Sequence, residues 1–207
     1  MQLNIHHSLN FWFAQAAQPD HPLVLFLHGS GERGSNADDV LKWGLPKVVA
    51  ASASAPPFHL VAPQCPAEAE WSDVLGDCLD VLEAYQAATV RVAQKAAVGF
   101  SMGGQGALEL VGHEPDCFAA AIAVAPRYTA LLKQSPPSAE GTAIHIVHGE
   151  DDVVVPVSNA RAIATAIGAD APRLTLEVLP RRDHFIADEV FALDRFGALL
   201  ANVLQPR

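Results

Sequence analysis

The sequence predicts one α/β domain, in which a doubly wound, mostly parallel sheet carries helices on both faces. Short apolar runs alternate with longer, alanine-rich segments along the 207 residues. The short runs lack a polar residue at every second position, which indicates strands covered on both faces. No linker rich in Pro, Gly or Ser divides the chain. This alternation is typical of a doubly wound fold, here as a single domain over residues 1–207.

Six apolar runs are predicted to form the strands of the sheet. In chain order they cover residues 23–27, 58–62, 95–100, 118–124, 143–148 and 174–179. Each has the length of a buried strand, and proline or glycine bounds several of them. The first 17 residues have a weaker pattern, which predicts one or two leading antiparallel strands.

Four helices are predicted between and after these strands. Ser72 is expected to cap a helix in which apolar side chains recur every three to four residues. A second helix should begin near Gly104, directly after a predicted strand. Ser158 is expected to cap a third helix, which ends at Gly168. Residues 186–204 are predicted to form one long terminal helix.

The charge balance excludes one class of partner. The chain has 23 acidic and 13 basic side chains, which gives a formal net charge of −10. Nucleic-acid binding needs clustered positive charge, and the densest basic pair, Arg181-Arg182, is followed directly by Asp183. A nucleic-acid partner is therefore not expected.

The chain shows no targeting or membrane segment, and its cysteines suggest a reducing compartment. No apolar stretch approaches the ~20 residues of a membrane span, and the N-terminus lacks the basic and apolar regions of a secretory signal. We therefore expect a cytoplasmic protein. Cys65, Cys78 and Cys117 lack the spacing of a metal site and are expected to be free thiols. A Cys65–Cys78 disulfide stays open as the alternative.

A Gly-x-Ser-x-Gly motif at residues 99–103 is the strongest chemical pattern in the chain. A strand is predicted before the motif and a helix after it, which is the context in which the serine stands exposed on a tight turn. Ser101 is therefore the candidate nucleophile. The alternative is a glycine-rich connection between strand and helix that carries no chemistry.

A serine hydroxyl is a poor nucleophile at neutral pH, so it needs a base that a carboxylate orients. In a fold of this kind the three follow in the order serine, acid, histidine. The acidic loop after the strand at 143–148 offers Glu150, Asp151 and Asp152, although such a loop is often only a solvated turn. His184 is the only histidine that follows these acids in the chain. His145 lies within an apolar strand and is expected to be a core residue.

Acyl transfer also needs N–H donors for the developing oxyanion. One donor is expected from the residue after the nucleophile, Met102. The other is expected from Ser30, in the glycine-rich loop after the strand at 23–27. A phosphate-binding loop is the competing interpretation of these glycines, but no Gly-Lys-Ser/Thr ending follows them.

Four segments together resemble those of the α/β-hydrolase superfamily. They are the loop at 27–34, the segment at 62–66 with Trp71, the turn at 99–104 and the loop at 148–156. The chain is similar to the small carboxylesterase/phospholipase members, which include acyl-protein thioesterases, and more loosely to dienelactone-hydrolase-like and feruloyl-esterase-like proteins. The spacing within the loop at 148–156, compared with the family's acid loop, selects Asp152 over Asp151.

The resemblance covers about residues 23–204 and implies a serine hydrolase of carboxylic esters or thioesters. Ser101, Asp152 and His184 would form its catalytic triad, with a small-molecule substrate and without a metal or cofactor. Both a monomer and a homodimer stay open. So do a peptidase, a lactonase or a dienelactone-type hydrolase on the same triad, although the last usually carries a cysteine nucleophile. A non-catalytic binding protein is the alternative from another class.

The chain departs from the family pattern in two places. The family usually has glycine shortly before the catalytic histidine, where this chain has residues 181–183, Arg-Arg-Asp. This difference leaves the shape of the histidine loop open. Residues 125–142 are too few for the folded cap that some members insert before the acid strand. An open site without a lid is therefore expected.

Several residues near these motifs are candidates for substrate contact. Gly29, Trp71 and Phe185 are the candidates, and core packing is the alternative for the two aromatic residues. Arg181 and Arg182 carry a further hypothesis, that they bias the cleft toward anionic substrates. Solvated surface residues are the alternative for both arginines.

Overall fold

The computed structural model describes residues 9–89 and 94–205, and its centre is one seven-stranded sheet. The strands follow the spatial order β1-β3-β2-β4-β5-β6-β7, and all neighbours are parallel except β1, which runs antiparallel to β3. Their bounds are β1 Phe11–Ala14, β2 Leu23–Leu27, β3 His59–Pro63, β4 Lys95–Phe100, β5 Ala120–Val124, β6 Ala143–Gly149 and β7 Leu174–Leu179. The predicted α/β fold with a mostly parallel sheet is confirmed.

The predicted strands differ from the observed ones only at their ends. The strands β3 and β5 begin one and two residues later than predicted, and β6 extends to Gly149. The leading antiparallel strand is Phe11–Ala14, at the edge of the sheet. A second leading strand before it would fall on residues 1–8, outside the described residues.

Seven α-helices and three short 3-10 turns connect the strands within the described residues. The helices are α1 Gly44–Ala50, α2 Leu75–Thr89, α3 Met102–His113, α4 Ala130–Gln134, α5 Ser158–Ile167, α6 Ala187–Val190 and α7 Leu193–Val203. The 3-10 turns are Ser30–Glu32, Ala37–Lys42 and Trp71–Asp73. Between β5 and β6, where every residue is described, the chain forms only the short α4, so no cap domain is inserted at this point.

Two predicted helix starts are wrong in detail. Ser72 lies inside a 3-10 turn instead of capping a helix, and α2 begins at Leu75. The turn forms because the Asp73 carboxylate accepts from the backbone N–H of Glu70 at 2.9 Å. Ser158 is the first residue of α5 and makes no capping bond, whereas the predicted end at Gly168 is correct.

The long terminal helix predicted over 186–204 is interrupted, because Ala192 is extended between α6 and α7. Phe191 and Phe196 lie five positions apart, and in one continuous helix they would point about 140° away from each other. The break brings both rings into the core, 5.7 Å apart, and Phe191 also meets Phe26 at 5.3 Å. Packing of these rings therefore outweighs helix continuity.

The core consists of two layers, one on each face of the sheet. Alternate residues of β2 show the division: Leu23 and Leu25 face α2, α3 and α5, whereas Val24 and Phe26 face α1, α6 and α7. Cys65 and Cys78 are buried on the first face as free thiols, so the alternative of a disulfide between them is wrong. Within residues 9–89 and 94–205, no helix is both long and apolar enough to cross a membrane.

Candidate active site

Ser101 occupies a strained turn between the end of β4 and the start of α3. Its φ is 54° and its ψ is −115°, a backbone conformation that residues other than glycine rarely adopt. The turn is tight enough that a Cβ at Gly103 would lie 1.8 Å from the carbonyl oxygen of Leu27. A Cβ at Gly99 would lie 2.1 Å from the carbonyl oxygen of Gly103. Only glycine fits at these two positions, which is the physical content of the Gly-x-Ser-x-Gly motif.

A chain of hydrogen bonds joins Ser101, His184 and Asp152. The Ser101 Oγ lies 3.1 Å from His184 Nε2, and His184 Nδ1 lies 2.7 Å from Asp152 Oδ2. An ionised carboxylate only accepts, so Nδ1 carries the hydrogen and Nε2 is left to accept the serine proton. All three residues are buried. The structure therefore brings together three residues that sequence analysis selected from distant segments.

Within the acidic loop, Asp152 alone faces His184. Its Oδ1 accepts from the backbone N–H groups of Val154 and Val155, at 2.9 and 2.7 Å. These bonds fix the carboxylate and leave Oδ2 for the imidazole. Glu150 and Asp151 are exposed.

The histidine loop takes its shape without a glycine of its own. Arg181 adopts a φ of 57°, a left-handed conformation that glycine adopts more easily. The loop also lies close against the end of β6, where a Cβ at Gly149 would be 2.2 Å from the carbonyl oxygen of Asp183. The Arg182 carbonyl accepts from the N–H of Asp151 at 2.8 Å, which ties the histidine loop to the acidic loop.

The two expected oxyanion donors, Ser30 and Met102, both lie near Ser101. Met102 begins α3, where the first N–H groups have no partner within the helix. Ser30 begins the 3-10 turn after β2 and lines the cleft beside Ser101. Their role as oxyanion donors stays a prediction.

His28 and Trp71 fix the loop that carries Ser30. The indole N–H of Trp71 donates to the carbonyl oxygen of His28 at 3.0 Å. The N–H of Cys65 donates to His28 Nε2 at 3.0 Å, so His28 Nδ1 carries the hydrogen and donates to the Gly29 carbonyl at 2.6 Å. Burial lowers the pKa of His28 to about 4, which keeps this imidazole neutral. Trp71 is fully buried, so its prediction as a substrate contact is wrong.

A cleft of about 300 Å³ opens beside Ser101. Its walls are mainly apolar and are formed by Trp43, Phe100, Val154, Phe185 and Ala187. Gly29 and Phe185, both predicted substrate contacts, line the cleft. The Phe185 ring is 68% exposed and lies 5.7 Å from the His184 ring, so it is not a core residue.

The lining of the cleft gives no support to the hypothesis of an anionic preference set by Arg181 and Arg182, which stays a prediction. Neither arginine lines the cleft, and Arg182 Nε donates to Glu189 Oε2 at 2.6 Å. The charged side chains that do line it are the acids Glu32 and Asp188. The cleft wall therefore carries no arginine charge for an anionic substrate.

Comparison with known proteins identifies the family. A sequence model of the phospholipase/carboxylesterase family matches residues 66–193. The chain belongs to this family. It is also 30% identical over 202 residues to Esterase YpfH of Escherichia coli (strain K12), a match that covers 85% of this chain and 83% of that protein. These two findings confirm the resemblance drawn from the motifs.

Solved structures show the same fold as this phospholipase/carboxylesterase family member. TT1662 from Thermus thermophilus matches with a TM-score of 0.68 and 19% identity, over 96% of this chain and 95% of that one. The esterase PE8 matches with a TM-score of 0.65 and 24% identity, over 95% of this chain and 99% of that one. Identities this low establish the α/β-hydrolase fold alone. The family and its relative Esterase YpfH support an ester hydrolase.

Sequence analysis missed a second imidazole beside the acid of this family member. His148 is fully buried, and its Nε2–H donates to the Val155 carbonyl at 2.7 Å. The same nitrogen lies 3.2 Å from Asp152 Oδ2, the oxygen that also meets His184. Burial is the main cause that lowers the pKa of His148. The sequence signal that could have indicated this contact is the position of His148, four residues before Asp152.

Sequence analysis also missed Glu32. This glutamate lines the cleft although only 4% of it is exposed, and its Oε2 lies 3.7 Å from His28 Nδ1. Burial raises the pKa of Glu32 to about 7. Glutamate in a glycine-rich loop is ordinarily exposed, so the sequence carried no signal of this burial.

The described residues contain no cluster suited to a resident metal. Within residues 9–89 and 94–205, no group of three or more His, Cys, Asp or Glu side chains is arranged to hold an ion.

Proposed function

We propose that this chain is a serine hydrolase that cleaves carboxylic esters or thioesters through an acyl-enzyme on Ser101. The observation that carries the proposal is the hydrogen-bonded series from Ser101 Oγ to His184 Nε2 at 3.1 Å and from His184 Nδ1 to Asp152 Oδ2 at 2.7 Å. Such a series turns a weak nucleophile into an effective one. Membership of the phospholipase/carboxylesterase family supports the same chemistry.

In the first half of the reaction, Ser101 Oγ bonds to the acyl carbon while His184 Nε2 takes the hydroxyl proton. The carbonyl oxygen becomes an oxyanion, which accepts from the N–H groups of Ser30 and Met102. Asp152 holds the imidazole in the required tautomer and stabilises its charged form. The intermediate then collapses, the ester or thioester bond breaks, and His184 returns the proton to the leaving alcohol or thiol.

In the second half, water resolves the acyl-enzyme. His184 takes a proton from the water, whose oxygen bonds to the acyl carbon and forms a second oxyanion at the same two N–H groups. Collapse breaks the bond to Ser101, and His184 returns the proton to Oγ. The products are a carboxylic acid and the free serine, so no other reactant is needed.

The cleft sets an expectation for the acyl group. Its volume of about 300 Å³ is at the lower end of ligand pockets, and its walls are mainly apolar. Short acyl chains are therefore proposed to bind in it. In a series of p-nitrophenyl esters from acetate to palmitate, we expect kcat/KM to be highest for the short chains. A rate that rises steadily to palmitate would contradict this assignment.

The main test is substitution of the proposed nucleophile. Ser101→Ala and His184→Ala are each expected to lower kcat for p-nitrophenyl acetate on the order of 10⁴- to 10⁶-fold. A fluorophosphonate probe should label the wild type and fail to label Ser101→Ala. Ser158→Ala, at an exposed serine of α5, is the control and should behave as the wild type. Near-normal hydrolysis by Ser101→Ala would overturn the proposal.

A further inference from the structure

A second depression adjoins the cleft across Val154, a residue that lines both. It has a volume of about 610 Å³ and is referred to below as the polar groove. One wall is formed by Val154–Pro156, which directly follow the acid Asp152. The opposite wall is formed by residues 127–131, after β5. The polar groove therefore adjoins the cleft at the acidic loop.

A continuous hydrogen-bond network forms the floor of the polar groove. Arg127 pairs with Glu70 and donates from Nε to Gln105 Oε1 at 2.9 Å. Gln105 Nε2 donates to Glu109 Oε1 at 3.0 Å, and the Thr129 hydroxyl donates to the same oxygen at 2.7 Å. Gln105 and Glu109 both belong to α3, the helix that begins directly after Ser101. The network thus joins the groove to the element that holds the proposed nucleophile.

One atom of this network has no hydrogen-bond partner among residues 9–89 and 94–205. Glu109 is only 4% exposed, and its Oε1 accepts two hydrogen bonds, whereas its buried Oε2 has none. A buried polar atom without a partner costs free energy, so such atoms are rare unless something else satisfies them. Glu109 lines the polar groove and also another depression beside Leu75 and Gly112. A ligand in the polar groove that reached the buried Oε2 would complete its bonding.

The chemistry of the residues that line the polar groove restricts which class of ligand it can bind. Burial raises the pKa of Glu109, so both forms of its carboxyl have to be considered. Ionised, Oε2 only accepts; protonated, it donates. A hydroxyl group fits both forms because it donates and accepts. Among the described residues lining the groove, Arg127 carries the only positive charge, and Glu70 already pairs with it, which disfavours an anionic ligand.

We propose that the polar groove binds the alcohol portion of the substrate, and that this alcohol is a neutral polyol such as glycerol or a sugar. The inference rests on the proposed function, in which the acyl group occupies the apolar cleft. A polyol ester would then span Val154, with its reacting carbonyl at Ser101. One hydroxyl would bond Glu109 Oε2, and others would meet the remaining polar groups of the floor.

The test compares two esters with the same acyl group, glycerol monoacetate and ethyl acetate. For the wild type we expect kcat/KM to favour glycerol monoacetate by about 5- to 10-fold, the gain from one net hydrogen bond. Glu109→Met, which removes the carboxyl, should bring this ratio close to one. Arg127→Gln, at a half-buried residue, should also lower it because Arg127 orders Gln105.

A matched control and the contrary outcomes complete the experiment. Glu177→Gln alters a carboxylate on β7 that bonds His145 and Arg195, outside the polar groove, and should leave the ratio unchanged. Melting temperatures show whether Glu109→Met is folded; if it is not, Arg127→Gln decides. A wild type without preference, or a preference that both variants retain, overturns the polyol subsite while fluorophosphonate labelling of Ser101 keeps the proposed function. Loss of labelling and of both hydrolyses overturns both.

Discussion

The turn at residues 99–103, which holds the proposed nucleophile Ser101 (the nucleophile turn), and the loop at residues 181–184, which holds His184 (the histidine loop), bring their side chains together by different means. The nucleophile turn contains the glycines that its own conformation requires, because a Cβ at Gly99 or Gly103 would overlap backbone atoms. The histidine loop has Arg181 in a left-handed conformation, and the glycine that makes room for it, Gly149, belongs to β6. The first conformation is determined within five consecutive residues, and the second by contact between distant segments.

This difference explains why one region is visible in the sequence and the other is not. A motif can be recognised when its steric requirement lies between neighbours along the chain. When the requirement lies between two loops, the local sequence Arg181–Asp183 gives no sign of it. The two regions should therefore respond differently to substitution: the turn through folding of the whole chain, and the loop mainly through catalysis.

The largest effect is expected from Gly103→Ala. The added methyl group would lie 1.8 Å from the carbonyl oxygen of Leu27, in the neighbouring strand β2, and backbone at the centre of a sheet yields little. We expect a loss of at least about 4 kcal/mol in the free energy of unfolding, measured by urea denaturation. Gly76→Ala is the control, because a Cβ there meets nothing within 4 Å. It should stabilise α2 by about 0.5–1 kcal/mol. Equal stability of the two variants would refute the steric account.

The loop after β2, which packs on the nucleophile turn, contains His28 and Glu32, and their pKa values predict how the free energy of unfolding depends on pH. Glu32 has a pKa raised from 4.5 to about 7 by burial, so the folded state binds more protons than the unfolded state between these values. Stability conferred by Glu32 is therefore present below pH 4.5 and lost as the pH rises to 7. His28 acts oppositely: its pKa is lowered to about 4, so stability is lost as the pH falls from 6.5.

Glu32→Gln separates these opposing contributions. Removal of the carboxyl leaves the His28 contribution unopposed by Glu32, so stability of the variant should rise more steeply with pH between 4 and 6.5 than that of the wild type. The free energy of unfolding of the variant minus that of the wild type should increase by roughly 3 kcal/mol from pH 4.5 to 7. Chemical denaturation at several pH values measures this difference. A difference that is constant across the range would show that Glu32 does not hold its proton in the folded state.

On the histidine side, Gly149→Ala should act mainly on catalysis. The added methyl group would lie 2.2 Å from the Asp183 carbonyl and displace the loop that holds His184. Displacement of a catalytic group by about 1 Å costs on the order of 100-fold in rate, so kcat for p-nitrophenyl acetate should fall by about that factor. Gly141→Ala, where a Cβ meets nothing within 4 Å, is the control. An unchanged kcat in Gly149→Ala would show that the loop relaxes without moving His184.

The sequence predicted the sheet and the meeting of Ser101, Asp152 and His184 because these depend on patterns along the chain. Apolar runs mark buried strands, and parallel strands place their carboxyl ends at one edge. The interrupted terminal helix was not predictable, because the break at Ala192 depends on how Phe191 and Phe196 pack against the sheet.

Trp71 shows a second limit of sequence reasoning. Its motif predicted that it lies beside the cleft, but the sequence does not show on which side of the loop the ring lies, and Trp71 does not line the cleft. The indole packs behind the loop and donates to the His28 carbonyl, so it supports the site without reaching substrate. Glu32 shows the opposite error. Its residue type predicts an exposed side chain, whereas the structure buries it in the wall of the cleft.

The smallest expected effect comes from relieving the backbone strain at Arg181 in the histidine loop. Arg181 has a φ of 57°, a conformation that costs a residue other than glycine roughly 1–2 kcal/mol. Arg181→Gly removes this cost but loses about 0.5–1 kcal/mol to the greater freedom of glycine in the unfolded chain. We therefore expect a net stabilisation of about 0.5–1 kcal/mol by thermal denaturation. Arg181→Ala also removes the side chain but keeps the strain, so it should not be stabilised. If the two variants are equally stable, the strain at residue 181 is negligible, and the histidine loop depends on its contact with Gly149 alone.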